Sequence, residues 1–167
     1  MAHLIDRNGL RPDGWQVFNG DAGALPADAD VLIPLDEWRE RAAAWSAHRG
    51  RLGLLLSPPD DVMALAGQLE HFALIAVNFP KFSDGRGYST ARLLRERLGW
   101  QGELRAVGDV LRDQLFLMAR CGFDSFALRA DQDAAAALRA FMDFSVRYQA
   151  ATDEPLPLFR RRRLVAA

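Results

Sequence analysis

Lys81, Asp84 and Arg86 fall within one short stretch, FPKFSDGRGYST, which also holds Gly85, Gly87, Ser89 and Thr90. Lys81 is the only lysine in the chain. An apolar run, LIAVNF, leads into the stretch, and a helical pattern, ARLLRERLGW, leads out of it. A strand, a polar glycine loop and a helix start can bring charged side chains and free backbone N–H groups to one point in space. Two readings of the loop stand side by side. As an anion site, Arg86 and Lys81 supply charge, while N–H groups around Gly87, Ser89 and Thr90 bind oxygens. As structure, Ser89 is an N-cap, Gly85 and Gly87 make the turn, and Asp84 pairs with Arg86. The loop has neither the G-x-x-x-x-G-K-S/T order of a P-loop nor the G-x-G-x-x-G of a dinucleotide fingerprint.

Two further segments carry chemistry-bearing residues. In ELRAVG, strand alternation puts Glu103, Arg105 and Val107 on one face. A guanidinium in a central strand must be paired or line a cavity, because burying its charge alone is too costly. Asp84 or Asp109 is the expected partner of Arg105. In GDVLRDQ, Asp109, Arg112 and Asp113 are neighbours at a helix start. They read as a cap with a local ion pair, or with Asp109 projecting into a cleft as a base or cation ligand. An enzymatic reading joins Lys81, Asp84, Arg86, Arg105 and Asp109 into one set that binds an anionic substrate and moves a proton.

Other residue types add little. His3, His48 and His71 lack the mutual spacing of a metal site. Cys121 cannot alone supply a zinc, iron–sulfur or siroheme ligand set, and reads as a small buried residue. The serines lack a G-x-S-x-G context. Trp15, Trp38, Trp45 and Trp100 read as core or interface residues.

The elements that must position these groups alternate strand with helix. Strands are expected at DVLIP, LGLLLS, ALIAVNF, ELRAVG and DSFALR. Helices are expected in LDEWRERAAAWSAH, after Pro58–Asp61 with Val62, Leu65, Ala66 and Leu69, and in ARLLRERLGW, where Arg92, Arg95, Glu96 and Arg97 face water. A further helix is capped by Asp109. A last one runs through DAAAALRAFMDFSVRY with Leu138, Phe141, Met142 and Ser145 on one face. Such alternation argues for about five mainly parallel strands covered by helices. That pattern suits an open, doubly wound sheet or a partial barrel, since a full eight-stranded barrel takes roughly 250 residues. In either sheet, functional groups collect at the carboxyl ends of the strands, where Lys81, Asp84, Arg86, Tyr88, Asp109, Arg129 and Asp131 stand. Residues 1–29, with NG and DG turn signals, read as a hairpin or arm that ends in a flexible connector, GDAGALPADAD. Residues 30–150 form the strand–helix core, and 151–167 an extended basic tail, all within a single domain.

The 167 residues are 50% hydrophobic and 26% charged, with a formal net charge of -1. This is the balance of a soluble globular domain, and it offers no global electrostatic case for nucleic acid. No uncharged apolar run reaches the roughly 20 residues that span a bilayer. MAHLIDRNG lacks the apolar core of a secretory signal, so a cytoplasmic location is expected.

Three blocks together, FPKFSDGRGYSTARLLRE, GELRAVGDVLRDQLFLMARCGFDSFALR and FSVRYQ, resemble the bacterial family known as domain of unknown function 934. The likeness extends over most of the chain. It implies an association with sulfite reduction in sulfate assimilation, and with it a partner such as sulfite reductase or another protein of that process. Members of the family carry an oxidoreductase label, but one cysteine and no nucleotide fingerprint identify no redox cofactor here, and a flavin site stays open. Three classes of function follow: an accessory or anion-binding factor, an enzyme acting at the strand ends, and an oligomeric scaffold.

Overall fold

A computed structural model describes residues 3–20, 25–144 and 146–165, and the side chains of 3–20, 25–144 and 146–161. Among these residues the strands are β1 (His3–Asp6), β2 (Gly9–Leu10), β3 (Gln16–Val17), β4 (Val31–Pro34), β5 (Leu52–Leu56), β6 (Leu74–Phe79), β7 (Glu103–Gly108) and β8 (Ser125–Leu128). The α-helices are α1 (Leu35–Trp45), α2 (Arg86–Arg92), α3 (Leu115–Arg120), α4 (Ala134–Arg139) and α5 (Leu158–Val165). The eight strands form one curled, open sheet in the order β2-β1-β8-β7-β6-β5-β4-β3. From β3 to β8 every neighbouring pair is parallel.

Strands β3 to β8 lie side by side in chain order, which settles the choice between a doubly wound sheet and a half-barrel. A doubly wound sheet needs a point where the order reverses, and right-handed crossovers then send helices to the other face. No reversal occurs here, and the helices collect on one face. The main core cluster joins Ile33, Leu54, Ile75, Val77, Leu104 and Phe126 of the strands with helix residues such as Trp38, Ala91 and Met118. The opposite face carries a small cluster of Leu32, Leu74 and Ala76, flanked by Trp15, Leu55 and Val107, with no helix residue in it.

The N-terminal hairpin is present. Asp6 Oδ1 accepts from the N–H groups of Asn8 and Gly9 and shapes the β1–β2 turn. Strand β1 then runs antiparallel to β8, pairing His3 with Leu128 through Asp6 with Ser125. The polypeptide continues across the helix-free face, where Trp15 packs over Gly53. The expected flexible connector includes residues 21–24, which lie outside the described residues.

Two expected helices change form, and the tail gains one. The segment after β5 makes two 3-10 turns, Val62–Leu65 and Leu69–His71, separated by Gly67 at φ +77. Asp61 caps the first through Met63 N–H. The last core helix stops at Arg139 and is followed by a single 3-10 turn over Ala140–Met142. Met142, expected on one helical face with Leu138 and Phe141, is 83% exposed. Ser145, expected on the same face, lies outside the described residues. The tail, expected to be extended, forms α5 over Leu158–Val165. Cys121 is buried, and burial pushes its thiol above the ordinary value. No described helix is long and apolar enough to cross a membrane.

Candidate functional site

The longest register in the sheet, six pairs from Leu74–Glu103 to Phe79–Gly108, brings the loops after β6 and β7 out at the same level. Gly108 then turns the chain back at φ +95. A Cβ there would lie 2.5 Å from both Asn78 Oδ1 and the Phe79 carbonyl oxygen, so only glycine fits. The turn lets Asp109 N–H donate to the Phe79 carbonyl at 2.7 Å and aims the Asp109 carboxylate at the Lys81 loop.

The Phe82 peptide is held from both sides. Its N–H donates to Asp109 Oδ2 at 2.8 Å, and its carbonyl accepts from Gln114 Nε2 at 2.8 Å. Gln114 is itself buried, and its Oε1 accepts from Leu111 N–H at 3.1 Å. The backbone of residue 82 is therefore fixed, while the Phe82 ring is 57% exposed. Lys81 is exposed beside it.

Around this point the charges are matched. Arg129 donates to Asp109 Oδ1 at 2.7 Å and forks onto Asp131 at 2.7 and 2.8 Å. That fork holds the Asp131 carboxyl down to about 2 and pushes the Arg129 guanidinium up. Asp84 accepts a second fork from Arg86, at 3.0 and 2.7 Å, together with the Arg86 backbone N–H. The Arg86 side chain lowers the Asp84 carboxyl below its ordinary value. The structural reading of the Asp84–Arg86 pair therefore describes its geometry.

Other expected members of the loop site stand elsewhere. Ser89 is not the N-cap of α2; Gly85 occupies that position, and Ser89 and Thr90 lie inside the helix. Thr90 Oγ1 donates back to the Arg86 carbonyl at 3.3 Å. Gly87 is a packing residue, because a Cβ there would lie 2.5 Å from the ring of buried Phe79. Asp109 does not cap a helix: its carboxylate serves Phe82 and Arg129, and the Gln114 side chain caps the start of the next turn through Leu111 N–H instead. Arg112 pairs with Asp143 rather than with its helix neighbours.

Arg105 joins neither Asp84 nor Asp109. Its side chain is 3% exposed on the helix-free face, bonded to Glu103 Oε1 at 2.9 and 3.2 Å, Asp13 Oδ1 at 2.9 Å and Ser125 Oγ at 3.3 Å. Ser125 Oγ also donates to Glu103 Oε1 at 2.6 Å. Burial pushes the Glu103 carboxyl up, but the Ser125 and Arg105 hydrogen bonds outweigh it and the net shift is downward. The alternation of ELRAVG correctly put Arg105 and Glu103 on one face. The partner Asp13, 92 residues away in sequence, had no local signal.

Sequence reasoning missed three residues. Phe82 had a signal, an aromatic inside a polar loop, but Gln114 had none short of the tertiary contact. Arg95, expected to face water, is turned inward by a widened π-type turn over Leu93–Arg97. It donates to the carbonyls of Gly122, Trp100 and Gly102 and to Asp124, tying together the amino ends of β7 and β8. Among the described residues no group of three His, Cys, Asp or Glu side chains could hold a metal ion.

The sequence model of the family described as bacterial protein of unknown function (DUF934) matches residues 53–159, more than half of the chain. The chain belongs to that family. No curated protein matches it.

Proposed function

We propose that this member of the family is an accessory docking factor, which presents the Phe82 loop to a protein partner in cytoplasmic sulfite reduction. One observation carries the reading: an exposed aromatic ring sits on a backbone clamped at both its N–H and its C=O. A water-facing phenylalanine gains nothing for the isolated fold, whereas an ordered one binds with little further loss of conformational freedom. Aromatic anchors of this kind carry a large share of interface energy. The charges around Phe82 support a protein partner over a free anion. Arg86 and Arg129 already bind carboxylates, so an incoming sulfite or sulfate must displace Asp84 or Asp131. Lys81 is positioned as the rim cation.

Titration calorimetry with purified sulfite reductase, and separately with sulfite and sulfate, tests this. The expected outcome is binding to the reductase that Phe82→Ala weakens about tenfold or more, the size of an interface hot spot. Arg86→Ala should weaken it far less. Sulfite or sulfate binding that is lost in Arg86→Ala, with no heat from the reductase, would overturn the reading in favour of an anion site.

A further inference from the structure

A second face, independent of the Phe82 loop, carries an unusual display of apolar side chains. Beyond α4, four large residues at alternate positions, Met142, Phe144, Val146 and Tyr148, are 83%, 60%, 62% and 68% exposed. Leu117 of α3 adds a fifth at 51%. A run of this size is uncommon on a soluble monomer and marks an interaction surface.

The segment is anchored from below. Arg120 donates to the Gln149 carbonyl and, at 3.4 Å, to Asp153. Arg147 donates to Asp153 at 2.6 Å, and Arg161 to the Arg147 carbonyl at 2.7 Å. Leu158 N–H donates to the Tyr148 carbonyl at 3.0 Å. The Phe144 ring packs 4.8 Å from that of Phe116, and the Arg147 guanidinium lies 5.6 Å from the Phe116 ring centre. Between these groups lies an open cleft of about 390 Å³, lined by Phe116, Arg120, Phe144, Val146, Arg147 and Tyr148 among others.

Charge identifies the occupant. Arg120 and Arg147 both line the cleft and share one carboxylate, Asp153, which Arg7 also meets at 4.0 Å. Two copies meeting through this face would bring like charge together. A lipid surface suits protruding side chains, whereas this face is concave and aromatic-floored, a shape that accepts a single side chain. We propose that the cleft between α3 and residues Phe144 and 146–149 binds an acidic polypeptide segment of a partner protein. One apolar side chain of that segment enters between Phe116, Phe144 and Tyr148, and its carboxylates are held by the surrounding arginine excess.

Fluorescence anisotropy on the full chain tests this with three probes: a labelled peptide of alternating glutamate and phenylalanine, its lysine–phenylalanine counterpart, and vesicles of phosphatidylglycerol and phosphatidylcholine. The acidic peptide should bind saturably, at least tenfold more tightly than the basic one, and more weakly as salt is raised. Phe144→Ala and Tyr148→Ala should each weaken it about tenfold with the circular dichroism spectrum unchanged, and Phe82→Ala should leave it unchanged. Absent acidic-peptide binding, equal affinity for the two peptides, or indifference to both substitutions would overturn the proposal. So would vesicle binding or self-association in sedimentation that depends on Phe144 and Tyr148.

Discussion

Arg105 and Arg129 each meet two carboxylates, yet the two clusters do opposite things. Arg105 is 3% exposed and bridges Glu103 of β7, Ser125 of β8 and Asp13 of the N-terminal arm. Arg129 is 44% exposed and bridges Asp109 and Asp131 in the loops after β7 and β8. Coulomb attraction between like pairs is several times stronger away from water, but so is the cost of leaving one member unpaired. The same grouping of charges therefore fastens an arm to the sheet where it is buried, and sets the local charge of a presented surface where it is wet.

The contrast is broken most directly at Arg105. Arg105→Ala strands the half-buried Glu103 carboxylate and should cost about 3–5 kcal/mol in urea unfolding. The double substitution Arg105→Met with Glu103→Leu should recover much of that loss. A loss under about 1 kcal/mol in the single variant would mean that the buried cluster behaves like a surface pair.

The loop side has its own point of strict packing. Gly87→Ala drives a methyl group into the Phe79 ring and should cost about 1–3 kcal/mol by thermal or urea melts. A neutral result would remove the packing account of Gly87 and return its N–H group to the anion reading.

A smaller effect is expected at the hinge between the two loops. Asp109→Ala leaves the Phe82 N–H without its acceptor and should cost about 1–2 kcal/mol. It should also raise hydrogen exchange at Phe82 and weaken partner binding together with it. Faster exchange with unchanged binding would separate the clamp from docking.

The smallest effect is the pH dependence that Glu103 contributes from the buried cluster. Glu103 has its folded-state pKa held below the ordinary 4.5, so it stabilises the fold above that value and stops doing so as pH falls through the folded pKa. The Tm difference between the wild type and Glu103→Gln should be full at pH 7 and shrink below about pH 4.5. A difference that stayed constant down to pH 3 would assign the role of Glu103 to shape rather than charge.

Much of this was legible in the chain. The five core strands fall where apolar runs of four to six residues are bounded by turn residues, as in LIAVNF before Pro80 and ELRAVG ending at Gly108. The loop chemistry was legible too, since Asp84 and Arg86 are close enough in sequence to pair in any turn. Helix boundaries were less so. Leu69 and Met142 have helical spacing, but Gly67 at positive φ separates the two turns after β5, and the last core helix stops at Arg139.

Local sequence determined which segments are strands, which face of β7 holds Arg105, and that the β6 loop is charged, because these depend on residues within a few positions of one another. Only the tertiary structure decided the partner of Arg105, the clamp on Phe82 and the inward turn of Arg95. Each depends on register between strands or on contact across 27 to 92 residues. Such contacts are set by how the sheet curls and closes its loops together, and no pattern along the chain encodes them one residue at a time.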